Sequence, residues 1–359
     1  MSPPAVSPGC PELFAVICAE IISRGPMTFA RFMELALYHP QWGYYTAVGA
    51  KTRIGRAGDY FTNVSVGTVF GELLGVQFAD MWQAMGRPAS FELLELGAHR
   101  GQFAADVRAW AERERPDFSA ALRVTTLDYP GELSAVVTGC IFSNELVDAL
   151  PVHLVTRSKG EWLERFVILE KDRLGFASGP CSSDALREEV ARLPLPVADG
   201  YATEVHLEAR RWMERVARCM QHGFVLTVDY GYAAANYYAP HRKNGTLLCY
   251  HQHRSNSDPL LRFGEQDITA HANFSLLAER GAAAGLSLLG FCNQTQFVGA
   301  LAEKCAQQWT HPGHAKQLAQ LKTLLHPELM GSAFKVLVQH RGMDGAMLAG
   351  LKFARDEIA

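Results

Sequence analysis

The sequence predicts an α/β fold built around a nucleotide-binding strand–turn–helix unit. The apolar run 91–96 leads into a glycine-rich turn at 97–101, and helix-forming sequence continues to residue 115. Two further apolar runs, 139–145 and 223–232, also end in polar side chains. Buried runs of this kind, alternating with helical segments, are typical of a parallel sheet that is covered by helices.

Composition sets limits on the class of protein. The chain has 359 residues, of which 48% are hydrophobic and 20% charged, and its net charge is −3. These values are typical of a soluble globular protein, and they lack the basic character of a nucleic-acid binder. The apolar runs are too short for a membrane span. The sequence allows a homodimer but does not require one.

The cysteines and the N-terminus predict a cellular compartment. The eight cysteines are scattered and contain no CxxC pair, which is the pattern of free thiols in a reducing compartment. The first residues have neither a basic-then-apolar secretory signal nor an Arg-rich transit peptide. We therefore expect a cytoplasmic protein of bacterial type.

Helical patterns precede the central unit. Residues 13–23 and 28–37 each show apolar side chains at helical spacing, and Thr28 suits the N-cap of the second helix. A third helix is predicted over 66–85. Its Gly71 and Gly75 indicate close packing against a neighbouring element or a ligand.

The turn after the first strand is a candidate ligand loop. Glycines allow a sharp turn and a close backbone approach, and the following helix N-terminus offers free N–H groups to an anion. An ordinary βα turn explains the same glycines. Asp128, which ends the next predicted strand at 122–127, is placed to accept two ribose hydroxyls. The alternative for Asp128 is a turn-forming role before Pro130.

A second set of polar side chains follows the strand at 139–145. Asn144, Glu145 and Asp148 lie at the carboxyl end of a predicted parallel strand, where ligands of α/β proteins bind. A helix N-terminus decorated with favourable acidic residues is the alternative explanation.

The later part of the chain predicts insertions. An antiparallel β-meander is predicted from strands at 152–155, 162–169 and 174–178. A helix is predicted over 203–222, with His206 at its surface. His251 and His253 could take part in a metal site, but no matching fourth-ligand motif appears, and a solvent-facing loop is the favoured interpretation.

The predicted domain boundaries follow these patterns. An N-terminal helical region covers 1–65, and the core covers 66–240 with its β insertion at about 152–180. A mostly helical insertion covers 241–325, the last core strand lies within 326–345, and 346–359 form a tail.

The polar and aromatic segments of the chain form one ordered series of motifs. They are Tyr38-His39-Pro40-x-x-Gly43-Tyr44-Tyr45, Gly58-Asp59-Tyr60-Phe61-Thr62, Phe70-Gly71-Glu72-Leu73-Leu74-Gly75, Glu95-Leu96-Gly97-x-x-Arg100-Gly101, Ser143-Asn144-Glu145-x-x-Asp148-Ala149-Leu150-Pro151-Val152, Asp229-Tyr230-Gly231-Tyr232, Gly264-Glu265-x-Asp267-Ile268-Thr269-Ala270-His271 and Met330-Gly331-x-x-Phe334-Lys335-Val336-Leu337. Over nearly the whole chain this series resembles the MidA-type methyltransferases, whose mitochondrial members are complex I assembly factors.

The resemblance implies a fold and a cofactor. The fold is a Rossmann-like seven-stranded core with an N-terminal helical region, a β-meander insertion and a helical insertion. The cofactor is S-adenosylmethionine, with S-adenosylhomocysteine as its product. Glu95, Gly97, Ala98 and Gly101 are expected to hold its amino-acid end, and Asp128 its ribose.

The resemblance also implies a protein substrate, which is an arginine in the complex I subunit that carries the quinone site. Paired carboxylates fix and polarise a guanidinium by bidentate contacts. Glu145 and Asp148 suit that role, and Asn144 suits the orientation of the acceptor. The side chains expected to line the substrate site are Asp59, Tyr60, Thr62, Asp229, Tyr230 and His271.

Two features favour an alternative, a non-catalytic binding or assembly factor that keeps the methyltransferase fold. His99 stands where the family's turn carries a glycine. The segment between Asp128 and Asn144 is too short for a full helix, strand and loops, so we expect the usual third strand or the preceding helix to be absent. A nicotinamide dehydrogenase would account for the glycine-rich turn but not for the other motifs.

Overall fold

The structure, a computed structural model, describes residues 9–47, 49, 59, 62–194, 198–309, 314–355 and 358. Its residues form two units, and neither unit is continuous in sequence. The first unit takes its residues from 1–61, 148–209 and 235–271. The second takes its residues from 62–147, 210–234 and 272–359. Each predicted domain was one continuous stretch of sequence, whereas each of these units is assembled from three separate stretches.

The bounds of the regular elements are as follows. The helices are α1 (Pro11–Arg24), α2 (Phe29–Tyr38), α3 (Asn63–Val66), α4 (Val69–Ala84), α5 (Gln102–Glu114), α6 (Pro116–Ala121), α7 (Asp184–Ala191), α8 (Leu207–Cys219), α9 (Ala234–Tyr237), α10 (Phe274–Ala283), α11 (Gln294–Trp309) and α12 (Ala315–Leu325). The strands are β1 (Met27–Thr28), β2 (Phe91–Leu96), β3 (Leu122–Leu127), β4 (Val137–Asn144), β5 (His153–Ser158), β6 (Glu161–Glu170), β7 (Arg173–Gly179), β8 (Ala202–Val205), β9 (Met220–Tyr232), β10 (Leu248–His251), β11 (Arg254–Asn256), β12 (Asp267–Thr269), β13 (Ala272–Asn273), β14 (Ser287–Asn293) and β15 (Phe334–Arg341).

A seven-stranded sheet forms the centre of the second unit. Its order is β14-β15-β9-β4-β2-β3, and the short β13 pairs with the end of β9. Strands β3, β2, β4 and β9 run parallel. Strand β15 pairs antiparallel with β9 and β14 pairs antiparallel with β15, so β15 runs against these four strands and β14 runs with them. The carboxyl ends of the parallel strands therefore meet at one edge, where α/β proteins bind their ligands. The predicted Rossmann-like core is confirmed.

Among the described residues, no strand pairs with the outer side of β3. Residues 128–136 form neither a helix nor a strand, so β3 is the edge of the sheet, as the short 128–144 segment predicted. Arg108 donates to the carbonyl of Val124 at 2.9 Å, and Arg123 donates to that of Leu122 at 3.0 Å. These arginines satisfy acceptors of an edge strand, which reduces its tendency to pair with another chain.

The predicted glycine notch in α4 packs against a helix. A Cβ atom at Gly71 would overlap the side chain of Asp106, and one at Gly75 would overlap the indole of Trp110. Both partners belong to α5, the helix after the cofactor turn. The two glycines thus allow α4 and α5 to approach closely over a core that includes Phe103.

The first unit contains the predicted meander and the two N-terminal helices. Strand β6 pairs antiparallel with β5 and β7, and β8 extends the sheet on the other side of β5. Strands β11, β10 and β12 form a separate three-stranded sheet. Thr28 caps α2, because its hydroxyl accepts the N–H of Arg31 at 3.2 Å. The predictions of α1, of α2 with its cap and of the meander are confirmed.

The predicted helix at 203–222 is wrong at both ends. Residues 202–205 form β8, which pairs with His153–Thr156 in β5, and the helix extends only from Leu207 to Cys219. Strand β9 already begins at Met220. Thr203 and Val205, on either side of Glu204, are β-branched and favour a strand. Their pairing with β5 prevents the helix that begins at Leu207 from extending back to residue 203.

His206 is buried, contrary to its predicted place at the surface. Its side chain is only 3% exposed, and its Nε2 lies 2.9 Å from the Tyr237 hydroxyl. Tyr237 donates its single proton to the Glu204 carboxylate at 2.8 Å, so His206 Nε2–H must donate to the tyrosine oxygen. Burial, together with the charge of nearby His271, lowers the pKa of His206 to about 4.

We expect His206 to make the free energy of unfolding depend on pH. Because the folded pKa of His206 is near 4 and an unfolded histidine titrates near ~6.5, the unfolded chain binds more protons between these values. Its contribution to the free energy of unfolding therefore falls as pH drops from ~6.5 to 4, by up to about 1.4 kcal/mol per pH unit. Urea unfolding of the wild type and His206→Gln over this range measures the slope.

The His206→Gln protein should have the shallower slope. The same replacement at the partly exposed His222 controls for the loss of a histidine as such. Equal slopes in the wild type and His206→Gln would show that this buried imidazole does not govern acid stability.

Candidate active site

The loop after β2 adopts the conformation that a ligand loop requires. Gly97, His99 and Gly101 have φ values of 77°, 50° and 68°, all in the left-handed region that favours glycine. Gly101 is the N-cap of α5 and has no side chain to occupy the helix terminus. The N–H groups of Gly97, His99 and Gly101 are already bonded to Leu127, Asp128 and Ala98. A group that approaches this turn therefore meets the positive end of a 13-residue helix.

Glu95 is a buried carboxyl group at the end of β2. It is 5% exposed, and the backbone N–H of Ala104 in α5 bonds to it. Its Oε2 atom has no hydrogen-bond partner among the described residues. Burial, and then the negative charge of Asp128, raise the pKa of Glu95 to about 8.

Asp128 follows β3 and is fixed by the same loop. One of its carboxylate oxygens accepts the backbone N–H of His99 at 2.8 Å. Glu95 and Asp128 are thus brought together, as their interaction through charge also shows. Two acidic groups and the N-terminus of α5 suit a ligand with a cationic amino group, a carboxylate and vicinal hydroxyls. S-adenosylmethionine has all three, so the residues present fit the expected cofactor.

The turn after β4 presents Asn144 and Glu145. Glu145 has a φ of 52°, an uncommon value for a residue other than glycine and one that clusters at functional sites. Its N–H donates to the carbonyl of Val228 in β9 at 3.0 Å. One oxygen of Asp229 accepts the N–H groups of Leu146 and Val147 at 3.1 and 2.8 Å. Asp229 therefore holds the backbone that aims Glu145.

The Glu145 carboxylate is oriented by two donors. Its Oε1 accepts the backbone N–H of Asn63 and the side-chain amide of Asn144, both at 2.8 Å. The side-chain amide of Asn63 also donates to the side-chain carbonyl oxygen of Asn144 at 3.0 Å. We did not predict Asn63 from the sequence, although it follows Thr62 in a quoted motif. The only signal for this residue in the sequence was an amide side chain directly after Thr62, beside the start of a helix.

The remaining predicted residues are distributed between the units. In the second, Thr62 is the N-cap of α3, and the ring of Tyr230 packs on that of Phe334 with centroids 3.9 Å apart. Asp148 belongs to the first unit, where its carbonyl accepts the N–H of Ala270 at 2.8 Å. The predicted Asn144, Glu145 and Asp148 set therefore includes residues of both units.

In the first unit, Asp59 and His271 make structural contacts. Asp59 accepts the hydroxyl of Tyr44 at 2.7 Å and the N–H of Gln252 at 2.6 Å. The N–H of His271 donates to the hydroxyl of Thr246 at 3.0 Å. Tyr60 lies outside the described residues, as do Gly58 and Phe61 of the same motif.

Two other features are absent from the described part of the chain. None of its helices combines the length and the apolar character needed to cross a membrane. Across the same residues, no three or more His, Cys, Asp or Glu side chains are grouped as a metal site.

Comparison with known proteins identifies similar chains. A family model described as "Putative S-adenosyl-L-methionine-dependent methyltransferase" matches residues 73–137 and 125–292. The mitochondrial protein arginine methyltransferase NDUFAF7 homolog of Drosophila melanogaster is 26% identical over 92% of this chain and 85% of its own length. The Homo sapiens NDUFAF7 is 26% identical over 95% of this chain and 86% of its own.

One similar protein has been crystallised with the product of the expected cofactor. A Burkholderia thailandensis protein, crystallised with S-adenosyl-homocysteine, is 28% identical and superposes with a TM-score of 0.84. The match covers 96% of each chain.

Asp229 should be more important for stability than its buried neighbour Thr227. Both Asp229 oxygens accept backbone N–H groups, so the amide introduced by Asp229→Asn must face its NH₂ toward at least one donor. We expect a loss of about 1–3 kcal/mol in the free energy of unfolding, measured by urea denaturation.

Thr227→Val is the matched control on the same strand. Thr227 is 1% exposed, and its hydroxyl has no hydrogen-bond partner in the described residues. Replacing it with an apolar group of the same shape should leave stability unchanged or slightly higher. An Asp229→Asn protein as stable as Thr227→Val would contradict the structural role of this carboxylate.

Proposed function

We propose that this chain, which belongs to a family of S-adenosyl-L-methionine-dependent methyltransferases, methylates a guanidinium nitrogen of an arginine in a protein. Its cofactor is S-adenosylmethionine, and the relatives named as protein arginine methyltransferases support the acceptor. The observation that carries the proposal is the Glu145 carboxylate, held by two donors at the carboxyl end of a parallel strand. The family resemblance extends the proposal to a subunit of the complex I type.

The cofactor, when bound, supplies an electrophilic methyl group on a sulfonium. Glu95 would hold its amino group, the backbone of Gly97, Ala98 and Gly101 its carboxylate end, and Asp128 its ribose hydroxyls. These residues bind and orient the donor, which is most of what an in-line displacement requires from a protein.

The acceptor side must localise charge on the guanidinium. An arginine is protonated at neutral pH, and its delocalised charge makes each nitrogen a poor nucleophile. In the proposed reaction one guanidinium nitrogen would receive the methyl group, S-adenosylhomocysteine would leave as the product, and the proton that this nitrogen loses would pass to water. Glu145 is proposed to fix the guanidinium and to accept its N–H groups, and Asn144 to orient it. The roles expected of Asp148, Asp59, Tyr60, Thr62, Asp229, Tyr230 and His271 stay predictions from the sequence.

The proposed acceptor chemistry is tested by product analysis. The purified protein is incubated with tritiated S-adenosylmethionine and the complex I subunit that carries the quinone site, and methylarginines are identified after hydrolysis. We expect methylarginine from the wild type and a rate about 100-fold lower for Glu145→Gln, since the isosteric amide has one acceptor oxygen instead of two and no charge to pair with the guanidinium.

Glu161→Gln, at an exposed glutamate of β6, is the matched control and should keep the wild-type rate. Label found on another residue type would refute arginine methylation. A Glu145→Gln protein with the wild-type rate would refute the role of this carboxylate.

A non-catalytic binding factor is the second candidate, favoured by the side chain of His99 within the cofactor turn. Calorimetric titration with S-adenosylhomocysteine separates the two. Because the pKa of Glu95 is about 8 in the protein alone, an ammonium bound beside it should displace close to one proton at pH 7. Affinity should therefore rise with pH from about 6 to 8.

Titrations in buffers of different ionisation enthalpy measure the protons released. Glu95→Gln should bind more weakly and release none. Undetectable binding by the wild type would favour the non-catalytic factor, and recovery of binding in His99→Gly would locate the defect at this turn. Tight binding without proton release would contradict the assignment of Glu95.

A further inference from the structure

We propose that Asn63 and Gln294 are positioning residues that set the orientation of Asn144 and Glu145 through a one-directional chain of amide hydrogen bonds. The inference rests on the proposed function, since it treats Glu145 as the acceptor-binding carboxylate. All four side chains belong to the second unit.

The chain of contacts is continuous over four side chains. Gln294, the first residue of α11, donates its Nε2 to the Asn63 carbonyl at 3.0 Å and to the backbone carbonyl of Leu324 at 3.2 Å. Asn63 donates to Asn144 at 3.0 Å, and Asn144 donates to Glu145 at 2.8 Å. Three successive amides thus lead from the α11–α12 pair to one carboxylate oxygen.

The direction of this chain is forced by its two ends. An ionised carboxylate only accepts, so Asn144 must turn its NH₂ toward Glu145 and its carbonyl toward Asn63. Asn63 must then donate to Asn144 and present its own carbonyl to Gln294. The Leu324 carbonyl at the other end also only accepts, so Gln294 uses both hydrogens of its NH₂ group. Turning over one amide would place two NH₂ groups, or two oxygen atoms, against each other.

Burial makes this arrangement rigid. Asn63 and Gln294 are both 0% exposed, so water does not compete for their hydrogen bonds. The Gln294 carbonyl oxygen has no hydrogen-bond partner among the described residues. A fully apolar packing would avoid that unsatisfied group, and the amide therefore has a cost that its orienting role explains. Asn63, Asn144 and Gln294 contain no titratable group, so the three amides themselves do not change direction by protonation.

Gln294→Glu provides a test that a purely structural role would not meet. While the introduced carboxyl group is protonated, its single proton can donate to Asn63, with loss of the bond to Leu324, and the chain keeps its direction. Once ionised, it can only accept, so Asn63 and then Asn144 must turn over, and the Asn144 carbonyl faces the Glu145 carboxylate. We expect kcat to fall about tenfold or more as pH rises through this titration, with S-adenosylhomocysteine affinity unchanged. The wild type should show no such transition.

Two further variants sharpen the experiment. Gln294→Met removes the donor at every pH, so its kcat should be low without the additional transition. Gln296→Glu places the same change two residues along α11, where the side-chain oxygen accepts the N–H of Asn293 at 3.0 Å and a carboxylate can do the same. It should keep the wild-type pH profile. A Gln294→Glu profile that matches Gln296→Glu would overturn the proposal.

A second readout needs no substrate and separates this inference from the proposed function. In protein labelled with ¹⁵N-asparagine, the side-chain NH₂ groups of Asn63 and Asn144 should exchange with solvent far more slowly than that of exposed Asn236. In Gln294→Glu this protection should decrease as the introduced carboxyl group ionises. Exchange at the Asn236 rate in the wild type would overturn the inference, whether or not arginine is the acceptor.

Discussion

The buried carboxylate of Asp229 holds the turn on which the acceptor side of the site is built. It lies at the end of β9 and accepts backbone N–H groups from residues of the neighbouring strand end, Leu146 and Val147. That contact supports the left-handed backbone of Glu145, which directs its side chain toward Asn63 and Asn144. Because β4 and β9 are adjacent parallel strands, one aspartate can reach the turn after the other strand.

Two carboxyl groups of the same sheet are placed in different environments. Glu95 is buried near Asp128, and both burial and that neighbouring charge favour its protonated form. Glu145 accepts the N–H groups of Asn63 and Asn144. The first environment suits the arrival of a cationic cofactor, and the second suits an acceptor of N–H groups. The difference arises from the groups around each carboxyl, since both are glutamates at the ends of parallel strands.

Helical and strand periodicity predicted most of the fold. The β2–α5 unit, the meander and the absence of a strand between β3 and β4 could all be inferred, because each depends on local pattern or on segment length. The prediction failed at Thr203–Val205 and at His206, where helical spacing continues into residues that pair with β5. Their conformation is decided by a partner strand about fifty residues earlier in the chain, and spacing along the sequence contains no record of that partner.

The sequence alone was sufficient to place Glu95, the glycine turn, Asp128 and the Asn144-Glu145 pair at strand ends, and to indicate the methyltransferase family. Those features follow from short motifs and from the rule that parallel strands end at one edge of a sheet. Tertiary structure was needed to identify Asn63 and Gln294, which are separated by more than two hundred residues and join through hydrogen bonds of buried amides. An amide has no preferred partner until folding brings one within reach, because its hydrogen bonds are satisfied equally well by water in the unfolded chain.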